Sequence, residues 1–100
     1  MTNRLELTGV IVKALRRTQS PAGIPHCHFV LEHRSTQQEA GFPRQVYCCI
    51  NVVVSGEGLQ TLTQDLAQGS HIKVSGFVSY QTGRNGLAKI VLHAEHIENI

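Results

Sequence analysis

Apolar and polar residues alternate along most of this chain. Leu5-Glu6-Leu7-Thr8 alternates, and Gly9 precedes Val10-Ile11-Val12. A period of two is the signature of a half-buried strand, and a glycine inside one marks a bend or bulge. The pattern predicts a first strand over about residues 3–15. "CHFVLEHRS" resumes alternation with Cys27, Phe29, Leu31 and His33 on one face, giving a second strand over 27–35. "QVYCCINVVV" sets Val46, Cys48, Ile50, Val52 and Val54 inward and turns Tyr47 outward on a third. "HIKVSGFVSY" and "LAKIVLHAEHIENI" read as the fourth and fifth strands, with Ile90, Leu92 and Ala94 sharing a face.

The connections carry their own signals. "TQSPAGIPH" and residues 36–44, "TQQEAGFPR", concentrate Pro and Gly and are predicted loops, the second exposing Phe42 and Arg44. Asn85-Gly86 between the last two strands is a strong hairpin signal. "GEGLQTLTQDLAQG" alone spaces apolar residues helically, at Leu59, Leu62 and Leu66, and predicts one short helix between Gly58 and Gly69. No interruption looks long enough for a parallel crossover. Five strands with a short helix between the third and fourth is the order of an all-β OB-fold, a five-stranded Greek-key barrel that binds oligonucleotides on one face.

One hundred residues, 41% hydrophobic and 16% charged, fit a single domain over 1–100 with one modest core. No run approaches the roughly 18 apolar residues of a membrane span, and the first ten residues lack a signal-peptide pattern. Three cysteines, two of them adjacent, make a poor disulfide framework and suit a reducing compartment, so the expectation is a cytoplasmic protein without membrane contact.

Net charge is only +2, but its distribution is uneven. Lys13, Arg16 and Arg17 fall in one acid-free window, and Lys73, Arg84 and Lys89 in another. Single-strand binding needs cations along a groove and aromatic faces on which bases stack. Tyr47, Phe42, Arg34, Arg44, Arg84 and Lys89 are the candidate DNA-binding residues, with Arg16, Arg17 and Lys13 as further candidates.

Enzyme chemistry finds little support. The seven acids are scattered, and Cys27 between His26 and His28 points away from both on a strand. No CxxC or HxxxH spacing marks a metal site, and Cys27 and Cys48 are assigned to the core face as small hydrophobes. No Walker-type loop is present. A non-enzymatic protein without cofactor or metal is expected. A protein-interaction module on the same fold is the alternative to a single-strand binder.

The segments "MTNRLELTG", "SPAGIPHCHFVLEHRS", "VVVSG", "SGFVS" and "NGLAKIVLHAEHIE", which run nearly end to end, resemble the primosomal replication protein N (PriB) family. These are small bacterial relatives of the single-stranded DNA-binding proteins. The resemblance implies a homodimer of OB-folds that binds single-stranded DNA in replication restart, as a primosome component contacting the helicase PriA and the loader DnaT. It places the family's stacking aromatic on Tyr47, a neighbouring aromatic on Phe42, and cations on Arg34, Arg44, Arg84 and Lys89. Family members carry tryptophan where this chain has Tyr47 and lysine where it has Thr18 and Thr82, which implies a thinner cationic groove.

Overall fold

The structure, a computed structural model, describes every residue of 1–100 except Glu57, Leu59, Gln60 and Arg84. Six strands follow in order: β1 (Leu5–Ile11), β2 (Arg16–Gln19), β3 (Pro25–Glu39), β4 (Phe42–Ser55), β5 (His71–Thr82) and β6 (Ala88–Asn99). They hydrogen-bond in the order β1-β5-β6-β4-β3-β2, and a further β1–β3 pairing closes five of them into a ring. Among the described residues no helix is long and apolar enough to cross a membrane.

Gly9 is the corner of that ring. β1 pairs with β5 from Leu5 opposite Gly76 to Val10 opposite His71, then meets β3 through Val10 opposite Glu32 and Ile11 opposite Leu31. A Cβ on Gly9 would strike the Glu32 carbonyl, so only glycine lets β1 approach β3 this closely. The closure needs one pairing the sequence reading excluded. β4 and β6 run parallel through Asn51–Val91, Val52–Leu92 and Val53–His93, because the intervening chain includes an entire strand, β5.

The core lies inside the ring. Ile11, Leu31, Val52, Val54, Ile72, Val74 and Leu92 are buried there with Cys27 and Phe29, and Leu66 packs against them. Parity along β6 changes once. Opposite Ser75 stands His96 and opposite Gly76 stands Ala94, so Glu95 is a bulged extra residue. Leu92 and Ala94 face inward before it and Ile97 after it.

Several expectations are corrected. The first strand ends at Ile11 rather than near 15, and Arg16–Gln19, partly placed in a loop, pairs as β2 with Pro25–His28. The second predicted loop is two strand ends. β3 and β4 pair continuously to Glu39 opposite Phe42, and the turn is only Ala40-Gly41, both at positive φ, 53° and 80°. That is a two-residue primed turn, whose twist matches the flanking strands. Phe42 and Arg44 therefore stand on a strand.

Among the described residues the short helix expected between the third and fourth predicted strands is not seen. Glu57, Leu59 and Gln60 lie outside the described residues; beyond them comes a single 3-10 turn at Thr61–Thr63, followed by turns. Glycine and threonine are weak helix formers, and the segment is instead fastened to β1. Ile11 N donates to Ser70 O at 3.0 Å and Gly69 N to Ile11 O at 2.7 Å.

Cys48 is exposed while Cys27 is fully buried. The physical reason is length. β3 and β4 continue past the ring as a two-stranded arm, so inward parity beyond Ile50 meets no core.

Candidate nucleic-acid interface

Two hairpins project from the ring, and their side chains sort by parity. On the β3–β4 arm, His28, Val30, Glu32 and Arg34 share the outer face with Val53, Asn51, Cys49 and Tyr47, their register partners. Phe42 and Arg44 occupy the opposite face. On the β5–β6 hairpin, Gln81, Lys89 and Val91 face one side and Tyr80 and Ile90 the other.

A cleft of about 670 Å³ opens where the β1–β2 link, the middle of β3 and β4, and the β5–β6 hairpin meet. Lys13, Arg16, His28, Asn51, Thr82 and Lys89 are among its lining residues, and no carboxylate lines it among the described residues. Three of the candidate cations, from three separate elements, thus converge on one concavity. The outer face of the arm leads away from it. From Val30 at the cleft to Arg34 on the arm is four residues, about 13 Å along a strand.

At the far end Tyr47 is 58% exposed, and Arg34 holds its guanidinium carbon 4.5 Å from the ring centre. Arg34 Nε donates to Glu32 Oε1 at 2.9 Å, which raises the arginine pKa further. The Tyr47 hydroxyl lies 3.4 Å from Cys49 Sγ and donates to Glu32 Oε2 at 3.5 Å. Its hydrogen bond to Cys49, with the nearby Glu32 charge, pushes the phenol above its ordinary range, so Tyr47 presents a neutral ring. Phe42, on the other face, is 73% exposed, and Arg44 pairs loosely with Glu39 at 3.4 Å.

Arg17 stands elsewhere. Arg17 donates from both terminal nitrogens to Thr63, at 3.0 Å to the hydroxyl and 3.0 Å to the carbonyl, fastening β2 to the 3-10 turn. Arg84 lies outside the described residues. Its loop is described around it. Gly83 N donates to Leu87 O and Gly86 N to Gly83 O, both at 3.0 Å, with Gly86 at φ 77°. Asn85-Gly86 therefore belongs to a longer loop than a two-residue hairpin.

His28 also lines the cleft. Its neighbour in register is Arg16, its Nε2 is 3.1 Å from Thr18 Oγ1, and the His26 ring is 6.2 Å away. Among the described residues no group of three His, Cys, Asp or Glu side chains converges as a metal site.

A closed five-strand ring with a basic cleft between projecting hairpins is the architecture of the OB-fold class of binding proteins. Residues 3–96 match the model of a family described as "another single-strand binding protein family". The replication restart protein PriB of Photobacterium profundum is 75% identical over 100 residues, covering 100% of this chain and 96% of that protein. That of Vibrio cholerae is 63% identical and covers 100% of both. Among solved structures, PriB from Ralstonia solanacearum matches with a TM-score of 0.81 at 24% identity, over 99% of this chain and 98% of that one. The wild-type single-stranded DNA binding protein from Thermus aquaticus matches at 0.80 and 20% identity, over 99% of this chain and 50% of that one. Both structural likenesses bear on the fold. The chain belongs to this single-strand binding protein family, among the PriB replication restart proteins.

Proposed function

We propose that this protein is a non-enzymatic, cytoplasmic accessory of replication restart that binds single-stranded DNA. The observation that carries the reading is the convergence of Lys13, Arg16 and Lys89 on a carboxylate-free cleft whose outer face continues to Tyr47 and Arg34. Cations there neutralise phosphates, and the tyrosine ring offers a stacking surface that any base can use. Arg84, flanking the same cleft in sequence, adds a further cation. A strand that also engages Phe42 and Arg44 passes round the arm from one face to the other. The names of the relatives support the same role.

The protein acts as a homodimer that bridges DNA to the helicase PriA and the loader DnaT. β1 supports the first part. Over Leu5–Gly9 it pairs with β5 alone, because β3 meets it only at Val10 and Ile11, leaving an edge for a second copy. The far side of the β5–β6 hairpin supports the second. Tyr80 and Ile90 are 73% and 52% exposed there, a small apolar patch turned away from the cleft and suited to a protein partner.

Fluorescence anisotropy with a labelled thymidine oligonucleotide and with a duplex, at several salt concentrations, tests the reading. Single strands should bind more tightly than duplex, with log affinity falling by about 0.7 per phosphate neutralised for each unit of log salt. Absence of salt-dependent binding at low salt overturns it in favour of a protein-interaction module.

A further inference from the structure

We infer that His28 is a proton-linked phosphate contact, so that binding of a single strand in the cleft takes up a proton and tightens as pH falls. This rests on the DNA-binding reading above and adds a residue and a pH dependence to it.

The geometry comes first. His28 sits on the floor of the cleft, on the same face as Val30 and Asn51. The charged and titratable groups around it are all cationic or neutral. Arg16 faces it from β2, His26 from its own strand, Lys13 from the β1–β2 link and Lys89 from across the cleft on β6; its β4 partner, Val53, carries no charge. No carboxylate among the described residues lines the cleft to balance an imidazolium. Partial burial, then Arg16, then His26, hold the His28 pKa below its ordinary value. The empty protein therefore keeps this ring neutral at neutral pH.

A bound phosphate reverses the balance. It supplies the negative charge that the surroundings lack, and an opposite charge within about 4–6 Å favours the protonated ring. The hydrogen bond to Thr18 does not oppose the change. A hydroxyl can donate to a neutral imidazole nitrogen or accept from a protonated one, so it turns over and the contact survives. A ring with two N–H donors then adds one charge to a cleft that holds Lys13, Arg16 and Lys89 already.

The test compares wild type with His28→Gln, which keeps a polar side chain beside Thr18 but cannot titrate. Anisotropy with a labelled thymidine oligonucleotide is measured from pH 7.5 to 5.5 at fixed salt, with thermal melts to check folding. One proton taken up is worth at most about tenfold in affinity per pH unit. Wild type should tighten about threefold to tenfold more than His28→Gln across this range, the other histidines being common to both. Histidine ring NMR should show the His28 pKa higher in the complex than in the free protein. Parallel pH profiles with binding intact, or an unmoved His28 titration, overturn the role of His28 and leave single-strand binding standing. No binding by either protein at any pH overturns both.

Discussion

Arg34 and Tyr47 are direct cross-strand partners on the β3–β4 arm, with the guanidinium carbon 4.5 Å from the ring centre. The cation is held there by Glu32, at 2.9 Å from Arg34 Nε, so one ring face is occupied in the free protein. On the proposed function a base would stack on the open face or displace the arginine, and in either case the aromatic ring rather than the hydroxyl would supply the surface. Tyr47→Ala should weaken single-strand binding by about 1–3 kcal/mol, while Tyr47→Phe retains most of it. Equal losses in the two variants, measured by anisotropy, would assign the effect to the hydroxyl.

Gly9 and Gly76 allow close backbone approach. A Cβ at Gly9 meets the Glu32 carbonyl and one at Gly76 meets the His93 carbonyl. Relief requires backbone shifts, at about 1–3 kcal/mol. Gly9→Ala should lower the urea midpoint with an unchanged slope, whereas Gly58→Ala, where the added methyl meets nothing within 4 Å, should be near neutral. Comparable losses at both positions would mean that the β1–β3 closure is not the source of the cost.

Ala40 occupies the left-handed region at φ 53°, where a Cβ is penalised and glycine is not. Ala40→Gly should therefore raise stability slightly, by up to about 1 kcal/mol, despite the added freedom of the unfolded chain. Chemical denaturation measures it. A clear loss of stability would show that the turn is not the primed one described.

The three thiols should react in two classes. Cys48 and Cys49 are exposed and Cys27 is buried, so a thiol reagent should label two cysteines quickly and the third only on unfolding. Fast labelling of Cys27 would contradict its place in the core.

His28 affects stability as well as binding. Its folded pKa lies below the ordinary 6.5, so between those two values the unfolded chain holds more protons than the folded one. Stability then rises with pH through that window and falls as pH drops below 6.5. Relative to His28→Gln, wild type should lose urea resistance between pH 7.5 and 5.5, the same interval in which its DNA affinity should rise. A difference that stays constant with pH would place His28 in an unperturbed environment.

How much was legible in the sequence depends on whether the signal was local. Alternation found the strands, and it placed Cys27, Phe29 and Leu31 inward and Tyr47 outward, because the ring buries one face wherever it exists. It failed at Cys48, since parity does not say where a strand leaves the ring. Residues 36–44, at the tip of the arm, read as a loop because Gly41 and Pro43 suggest one, although a two-residue turn needs little more than Ala40-Gly41. Helical spacing of leucines misled over 61–69, where attachment to Ile11 outweighs a weak propensity. Of the candidate site, the acid-free charge windows anticipated the meeting of Lys13, Arg16 and Lys89. That Arg17 turns to Thr63, and that Phe42 and Arg44 stand on the reverse of the arm from Tyr47, are consequences of register and tertiary packing. His28 shares its outward parity with His26, and only the register that sets it opposite Arg16 singles it out.

The most direct measurement is the salt dependence of single-strand affinity for wild type and for Lys13→Ala/Arg16→Ala/Lys89→Ala, with folding of both confirmed by thermal melts. If the three cations each neutralise a phosphate, the slope of log affinity against log salt becomes shallower by about 2, at roughly 0.7 for each phosphate no longer neutralised. A slope unchanged from wild type would contradict the cleft as the DNA-binding site.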